Sequence, residues 1–291
     1  MLEKLKFTII LLLVLFILCG QKGIAGSYDL KVIRETAIDS NNILPNSIQA
    51  FIVGEGYFPG WTVYKGCKEK EIYSAYTAFE IKYDTFSIIV DIPFNEGTFS
   101  NLKYGKKYNS STFNALNNAL INSQLIIFTH LHSDHITGLM GVSDYNKIKE
   151  KLIITSQQFS SKQINKSGIP KSMYQDIKSI KYEKYYKLSP GVVLIETPGH
   201  TPGHQSIFVK LKNGSEYLLL GDIAWNMKNI EYQLQRPLLV RFILKENKDQ
   251  IKEQLAWLQD IMKNNTSINI VPSHDFEKIN SCLSDSFTIY K

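Results

Sequence analysis

Histidine and aspartate are concentrated in one short stretch of the sequence, FTHLHSDHITG, which spans residues 128–138. It contains three of the chain's six histidines and one aspartate: His130, His132, Asp134 and His135. Imidazole nitrogen and carboxylate oxygen are ligands of Zn²⁺, and a catalytic zinc site keeps one position open for water. In an extended segment His130 and His132 point to the same side and can bind one ion, while Asp134 and His135 can face a second. The stretch therefore predicts half of a metal site.

The remaining histidines lie in two further loops that each follow a strand-like segment. His200 and His204 belong to TPGHTPGH, where two Pro-Gly pairs exclude regular structure, and His274 follows the apolar run INIV. Two neighbouring ions can clamp the attacked and leaving oxygens of a substrate, and they need more ligands than one loop supplies. Histidines with only structural roles would be scattered along the chain and would not all lie in three such loops. We therefore expect three loops to meet at one centre.

The segments that must position these loops alternate between strand and helix patterns. AFEIKYDTFSIIVDI predicts two strands around Asp84-Thr85, the second ending at Asp91. STFNALNNALINS predicts an amphipathic helix that Ser110 or Ser111 could cap. QLIIFT then predicts a buried strand that leads directly into His130.

The second half of the chain repeats this alternation. VVLIE, at 192–196, precedes the TPGHTPGH loop, and SIFVKLK and SEYLLLGD flank the hairpin signal Asn213-Gly214, so that Asp222 falls at a strand end. NKDQIKEQLAWLQDIMKNN predicts a helix with a capping-box-like start at Asn247 and Gln250, and INIVPSHD predicts a strand that ends at Pro272. Strands interleaved with helices predict sheets covered by helices, with a site along one edge.

The order HLHSDH, TPGH, GD and SHD, over residues 75–276, resembles the metallo-β-lactamase superfamily of binuclear metallohydrolases. The resemblance implies an α/β fold of the αββα sandwich type, in which two central mixed β-sheets are flanked by helices. It also implies two metal ions, expected to be Zn²⁺ although other divalent ions suit the same ligands, at the edge that the two sheets share.

The resemblance also implies a role for each residue of the motifs. Asp222 would bridge the two ions, and the other metal ligands would be His130, His132 and His200 for the first ion and Asp134, His135 and His274 for the second. His204 has no ligand position left, so we interpret it as a hydrogen-bonded residue that supports the loop. Asp91 is interpreted as a support behind the ligands, with a surface turn as the alternative.

The chemistry that the family implies is hydrolysis. A hydroxide bridging the ions would attack an ester, lactone or thioester carbonyl, and Asp134 would deliver a proton to the leaving group. A phosphodiesterase or nuclease would use the same metals, a β-lactamase is a further alternative, and a metal-binding protein without catalysis is the non-enzymatic one. A small-molecule substrate is expected. The lysines of KSIKYEKYYK, at 178–187, are typical of a solvated helix face or edge, and nucleic acid is not expected because arginines are few and the aromatics form no obvious stacking platform.

Within the family, ETPGHTPGHQSIF and the terminal SHD are most similar to N-acyl-homoserine lactone lactonases. That branch commonly has a tyrosine three residues beyond the bridging aspartate, whereas this chain has Trp225, which we expect in the substrate pocket. An indole donates a hydrogen bond but cannot accept one or ionise as a phenol does. Arg236 and Arg241 would either hold an anionic substrate or face solvent.

The N-terminus carries an export pattern. Lys4 and Lys6 precede the apolar run at 7–18, and GIAGS follows, which predicts a signal peptide cleaved after Ala25. An uncleaved N-terminal anchor and lipidation at Cys19 are the alternatives. We therefore expect residues 1–25 to be a signal or anchor and residues 27–291 to form an exported hydrolase domain, periplasmic or secreted, that meets a membrane only through an uncleaved N-terminus. The remaining cysteines, Cys67 and Cys282, would be bridged or separate thiols.

Overall fold

A computed structural model describes residues 28–38, 43–160 and 164–290 of the chain. The chain divides into a unit of residues 1–30 and a second compact unit of residues 31–291, which contains the sheets, the core and every predicted site residue. The predicted signal or anchor at 1–25 and the alternative of a lipidated Cys19 lie outside the described residues. Among the described helices, none combines the length and the apolar character that crossing a bilayer requires.

The described strands form two mixed sheets. The first has eight strands in the order β13-β1-β2-β3-β5-β6-β7, with β4 paired to β1. Its strands are β1 Ser47–Pro59, β2 Glu71–Lys82, β3 Ser87–Val90, β4 Gly105–Tyr108, β5 Leu125–Ile127, β6 Leu152–Thr155, β7 Lys178–Ile180 and β13 Phe287–Ile289. The second has five strands in the order β12-β11-β10-β9-β8. Its strands are β8 Tyr185–Ser189, β9 Val192–Glu196, β10 Gln205–Lys210, β11 Glu216–Leu219 and β12 Ile268–Val271.

Eleven α-helices lie in the described residues. They are α1 Leu30–Ala37, α2 Gly60–Val63, α3 Glu96–Phe99, α4 Ser110–Asn122, α5 Ser133–Ile136, α6 Tyr145–Ile148, α7 Ser156–Ser160, α8 Met227–Glu231, α9 Leu238–Leu244, α10 Lys248–Asn264 and α11 Phe276–Ser281. Short 3-10 turns occur at Thr137–Gly141, Lys149–Lys151, Ile164–Lys166 and Lys171–Met173.

Alternating side chains of the first sheet enter two different hydrophobic layers. Ile88 and Val90 of β3 pack with Leu194 and Ile207 of the second sheet, in the layer between the sheets. The intervening Ile89 packs in an outer layer, where α4 contributes buried residues such as Leu116 and Leu120. On the second sheet, α10 packs against β12 and buries residues such as Ile251, Leu255 and Leu258. This arrangement of helix, sheet, sheet and helix confirms the predicted αββα sandwich.

Most of the predicted elements are present with small shifts at their ends. The strand 192–196 has the bounds expected, and the hairpin between β10 and β11 turns at Asn213-Gly214, with Gly214 at a positive φ of 88°. The N-cap of α10 is Asn247, whose side chain accepts hydrogen bonds from two backbone amides. The N-cap of α4 is Asn109 rather than Ser110 or Ser111, because its side-chain oxygen reaches the amide of Thr112.

Two other expectations are corrected or resolved. The lysine run at 178–187 is not a helix face; it spans β7 and the start of β8, which are the edge strands of the two sheets. Cys67 and Cys282 are both free thiols. Cys67 Sγ lies 2.9 Å from a carboxylate oxygen of Glu69, and the Cys282 side chain is buried.

The strand directions bring the motif loops to one edge of the sandwich. In the first sheet β3 and β5 are parallel, and Asp91 and His130 follow their carboxyl ends. In the second sheet β11 is parallel to β12, and β9 runs the same way because β10 is antiparallel to both β9 and β11. The loops that carry His200, Asp222 and His274 therefore leave the second sheet on one side.

Candidate metal centre

Three imidazole nitrogens meet in a first cluster formed by His130, His132 and His200. His130 Nε2 lies 3.1 Å from His132 Nδ1, and His200 Nε2 lies 3.0 Å from the same His132 Nδ1. His130 and His200 are fully buried, whereas His132 is half-buried. The loop after β5 and the loop after β9 therefore bring together three nitrogens that can hold one ion.

A second cluster contains Asp134, His135, Asp222 and His274. His274 Nε2 lies 3.4 Å from Asp134 Oδ2 and 3.2 Å from Asp222 Oδ1, and His135 Nε2 lies 3.3 Å from Asp222 Oδ1. The short helix α5 presents Asp134 and His135 one after the other. This cluster offers two imidazoles and two carboxylates to a cation.

Asp222 connects the two clusters through its two carboxylate oxygens. Oδ1 faces His135 and His274 of the second cluster, whereas Oδ2 lies 3.4 Å from His200 Nε2 and 3.9 Å from His130 Nε2 of the first. A carboxylate with one oxygen toward each cluster has the arrangement that bridging two ions requires.

The buried polar atoms of the clusters fit metal ions better than they fit one another. Among the described residues, His135 Nε2, His274 Nε2 and Asp222 Oδ1 have no hydrogen-bond partner, although such atoms are normally satisfied. A tetrahedral zinc with bonds of about 2.1 Å separates its ligand atoms by roughly 3.4 Å. The separations of 3.0 to 3.8 Å recorded within the clusters lie on either side of that value. The residues present therefore fit two ions.

The other ring nitrogen of four histidines is held from behind. His135 Nδ1 lies 2.8 Å from Asp91 Oδ2, His200 Nδ1 lies 2.7 Å from Glu246 Oε1, and His274 Nδ1 lies 2.8 Å from the Ala75 carbonyl. His130 Nδ1 lies 3.1 Å from the Thr129 hydroxyl. Such contacts fix the ring orientation and leave the opposite nitrogen free to bind a metal.

Asp91 is a buried residue with a strained backbone. Its φ is 65°, a left-handed value that is uncommon outside glycine. Its carboxylate accepts hydrogen bonds from the backbone amide and the hydroxyl of Thr129, at 2.7 and 2.8 Å, and also contacts His135 Nδ1. The alternative of a surface turn is wrong, because the side chain is fully buried behind the clusters.

Both ring nitrogens of His204 are engaged within the protein. Nδ1 lies 3.1 Å from the Thr197 carbonyl oxygen, and Nε2 accepts a hydrogen bond of 3.0 Å from the backbone amide of Asp222. The ring therefore links the loop after β9 to the strand end that carries Asp222. No nitrogen of His204 remains to face an ion.

Burial and charge divide the histidines into two groups. Burial, reinforced by neighbouring imidazoles, holds the pKa of His130 and His200 well below the usual value. Burial also disfavours protonation of His274, but the Asp222 and Asp134 carboxylates outweigh it and raise the pKa to about 9. The pKa of His135 is raised by carboxylates in the same way. Metal binding at the second cluster would therefore displace protons.

Arg236 does not face solvent, so that alternative drawn from the sequence is wrong for it. Its side chain is buried, donates to Glu246 Oε1 at 2.7 Å and donates to the Asp222 carbonyl at 2.7 Å. Glu246 Oε1 also contacts His200 Nδ1. The half-buried Arg241 donates through Nε to the Arg236 carbonyl. An ion pair thus lies directly behind the first cluster.

Trp225 lies beside the clusters and contacts Asp222. Its indole Nε1–H donates a 2.8 Å hydrogen bond to Asp222 Oδ2, and the Arg236 guanidinium lies 4.2 Å from the ring centroid. The same ring lies 5.1 Å from Phe58 and 6.1 Å from His274. Because the N–H is directed to a carboxylate, it is not directed to a substrate carbonyl.

Several residues around the clusters were not found from the sequence. Tyr76 and Phe58 each lie 5.5 Å from the His274 ring, and burial, with the Asp134 and Asp222 charges, raises the pKa of the Tyr76 phenol. Phe58 belongs to the segment FIVGEGYFPGW, whose aromatic and glycine content is only a weak indication that it lies near the site. Thr129 could have been suspected because it precedes His130. No local sequence pattern points to Glu246, because its contact with His200 depends on how α9 packs.

Comparisons with known proteins agree with this geometry. The family described as the metallo-beta-lactamase superfamily matches residues 115–274, more than half of the chain. An N-acyl homoserine lactonase from Bacillus sp is 32% identical over 109 residues, which cover 38% of this chain and 42% of that protein. The chain is thus matched to less than half the length of this curated relative.

Solved structures share the fold over a longer span. An N-acyl homoserine lactone hydrolase, with the product N-hexanoyl-L-homoserine bound at its catalytic metal centre, has a TM-score of 0.65 at 20% identity. That similarity covers 83% of this chain and 98% of the other. A dizinc quorum-quenching lactonase has a TM-score of 0.54 at 13% identity and covers 80% of this chain and 90% of the other.

Proposed function

The chain belongs to the metallo-β-lactamase superfamily, and from that membership we propose that it is a zinc-dependent hydrolase of ester, lactone or thioester carbonyls. The proposal includes the site assignment. His130, His132 and His200 would hold one ion, Asp134, His135 and His274 would hold the other, and Asp222 would contact both.

The observation that carries this proposal is the orientation of the Asp222 carboxylate. Its two oxygens are directed to two separate ligand clusters, and in the second cluster the buried Nε2 atoms of His135 and His274 have no hydrogen-bond partner. A single structural zinc would be closed by four ligands and would not use a second set. Two adjacent cation positions are typical of hydrolytic sites.

Two bound ions would supply an activated water and an electrophile for the carbonyl oxygen. The protein residues then orient and position these groups. Asp91, Glu246 and the Ala75 carbonyl hold the rings of His135, His200 and His274 in place. Trp225 donates a hydrogen bond to the Asp222 carboxylate, which would contact both ions. Because most of these groups are buried, their hydrogen bonds are not replaced by water.

Asp134 is proposed to move the proton. It is the more exposed carboxylate of the site, with a side chain 22% exposed against 2% for Asp222. Burial raises its pKa, but the charges of His135 and His274 outweigh that effect and lower the pKa to about 2. The carboxylate is therefore ionised at neutral pH. It can accept a proton from the attacking water or hydroxide and then release it to the leaving oxygen or sulfur.

A lactone or a related acyl compound is the proposed substrate. The relatives named above include N-acyl homoserine lactone hydrolases, and the ligand motifs of this chain are most similar to that branch. The half-buried rings of Phe58 and Trp225 form an aromatic wall beside His274 that suits an apolar acyl group. The lactonase branch commonly has a tyrosine at the position of Trp225. The indole N–H of Trp225 is already bonded to Asp222.

A substrate panel tests the proposal. Zinc-loaded protein is assayed on matched lactones, carboxylic esters, thioesters and phosphodiesters, with the Asp222→Asn variant as a background control. We expect hydrolysis of a carbonyl substrate that depends on Asp222. Turnover of phosphodiesters alone would assign the site to the nuclease class, and turnover of a β-lactam alone to the lactamase class.

We also propose that the protein is exported, with residues 1–25 removed. This rests on the lysines and apolar run of the N-terminus. Mass spectrometry of protein recovered outside the cytoplasm should give an N-terminus at Gly26. A protein that keeps Met1 and sediments with membranes would support the anchor instead.

A further inference from the structure

The short helix α9, Leu238–Leu244, presents its apolar residues to solvent. Leu238, Leu239, Phe242 and Ile243 are 75, 57, 79 and 65% exposed. At 100° per residue these four side chains fall within one side of the helix, while Val240 on the opposite side is buried. A helix on a protein surface normally buries its apolar side. Here the apolar side faces outward, which indicates a binding surface.

Basic side chains surround this apolar face. A groove of about 1210 Å³ beside α9 is lined by five cationic residues in addition to the buried Arg236: Lys65, Arg241, Lys245, Lys248 and Lys252. The one acidic residue that lines it is Glu246, whose side chain is buried and paired with Arg236. The exposed acid nearest in sequence is Asp249. The surface around the helix is therefore positively charged.

We propose that α9 docks the protein onto an anionic phospholipid bilayer. Apolar side chains that enter the boundary between headgroups and acyl chains, with lysines beside them in contact with anionic headgroups, are the features of an interfacial helix. A second copy of this chain is less suitable, because a two-fold interface would place the same positive rim on both sides. This surface is distinct from the N-terminus, through which membrane contact was expected.

The residues that flank α9 on either side contact the candidate metal centre. Arg236 precedes α9 and donates to the Asp222 carbonyl, while Glu246 follows it and contacts His200. The Arg236–Glu246 ion pair joins the two ends of the segment 236–246, which contains α9. Docking would bring the candidate centre close to the bilayer, although the docking itself does not depend on the proposed hydrolysis.

A local fluorescence probe tests the proposal independently of the N-terminus. The full-length Phe242→Trp variant and wild-type protein are mixed with vesicles of phosphatidylcholine, alone or with phosphatidylglycerol, and emission from Trp61, Trp225 and Trp257 is subtracted through the wild type. With phosphatidylglycerol present, we expect the emission of the introduced indole to shift to shorter wavelength and to be quenched by doxyl-labelled lipid. Emission unchanged by these vesicles would overturn the proposal.

Two further variants separate the apolar and the electrostatic contributions. Phe242→Ser combined with Ile243→Ser should lower vesicle partitioning by about tenfold or more, and Lys245→Glu with Lys248→Glu should weaken binding to anionic vesicles specifically. Trp61→Ser, at another exposed aromatic residue, is the matched control. If light scattering shows a dimer that the double serine variant converts to monomer, the face binds a second copy and the proposal is wrong.

Discussion

At the residue scale, the role proposed for Asp222 predicts how many ions the protein binds. We predict that Asp222→Asn, which preserves size and removes the charge, abolishes measurable turnover and lowers bound zinc below two per chain. The amide has only one oxygen to offer, whereas the carboxylate directs one oxygen to each cluster. Elemental analysis of purified protein measures the metal content directly. Two tightly bound ions in this variant would contradict the bridging assignment.

Trp225 is predicted to position Asp222 rather than to activate the substrate. Trp225→Phe keeps an aromatic ring beside Phe58 and removes the hydrogen bond to Asp222 Oδ2. Loss of a hydrogen bond behind a ligand typically lowers metal affinity by about 10–100-fold. A competitive titration against a zinc indicator checks this, with Trp61→Phe as the control. Equal affinity in both variants would show that the indole N–H has no such role.

The sequence was sufficient to find the residues of the two clusters, because their types and spacing are local features. It was not sufficient for the groups behind them. The partner of His200 is Glu246, 46 positions away, and the partner of His274 is the Ala75 carbonyl, 199 positions away. Such pairs are created by tertiary packing and leave no spacing pattern in the chain.

At the element scale, the segment around α9 depends on one buried ion pair. Arg236 and Glu246 have side chains that are 1 and 0% exposed. Removing one partner of a buried pair typically costs about 3–5 kcal/mol, because the other charge is left without compensation. We predict a loss of that size in the unfolding free energy of Arg236→Met, measured by denaturant titration.

Controls for this variant distinguish the ion pair from general effects. Lys252→Met removes an exposed charge and should change the unfolding free energy by less than about 0.5 kcal/mol. Adding Glu246→Gln to Arg236→Met should recover part of the loss, since no buried charge then remains unpaired. A double variant that is less stable than the sum of the single changes would contradict this explanation.

The turn after β11 requires glycine at position 221. Gly221 has a φ of 60°, and a Cβ there would lie 2.6 Å from His204 Nε2 and 2.9 Å from Thr129 Cβ. We predict that Gly221→Ala disturbs the hydrogen bond between His204 and the Asp222 amide. Both stability and zinc affinity should fall.

Gly214→Ala is the matched control for that turn. Gly214 also has a positive φ, 88°, but nothing lies within 4 Å of its Cβ position. It should lose only the conformational contribution of about 1–2 kcal/mol and bind zinc normally. If the two variants are equally stable and bind zinc equally, the close contact at Gly221 has no effect.

Element types were predictable where the hydrophobic pattern was clear. α10 agrees with the sequence prediction because its apolar residues recur on one buried face, and β9 agrees because it is a short apolar run that is buried on both faces. The lysine run at 178–187 was ambiguous, since its charges suited a helix face or a strand edge equally, and pairing with β6 and β9 decided the outcome. α9 is helical although its apolar face is exposed. Packing against the rest of the protein therefore does not explain why this helix has apolar residues on that face.

At the scale of the whole molecule, the sandwich supplies a rigid edge on which separate loops converge. The core between the sheets and the outer core under α4 fix the strands, and the carboxyl ends of the strands then place the ligands. The chain carries a net charge of +6. Part of this charge surrounds α9, where we propose contact with a bilayer, and part lies on the edge strands β7 and β8, where lysines disfavour pairing with other chains.

The most direct test of the proposed function combines metal content with turnover. Protein stripped by a chelator is reloaded with increasing zinc, and hydrolysis of the best carbonyl substrate is followed against zinc bound per chain. The structure predicts no hydrolysis in stripped protein and recovery that is complete at two ions per chain. Full hydrolysis by the stripped protein would contradict it.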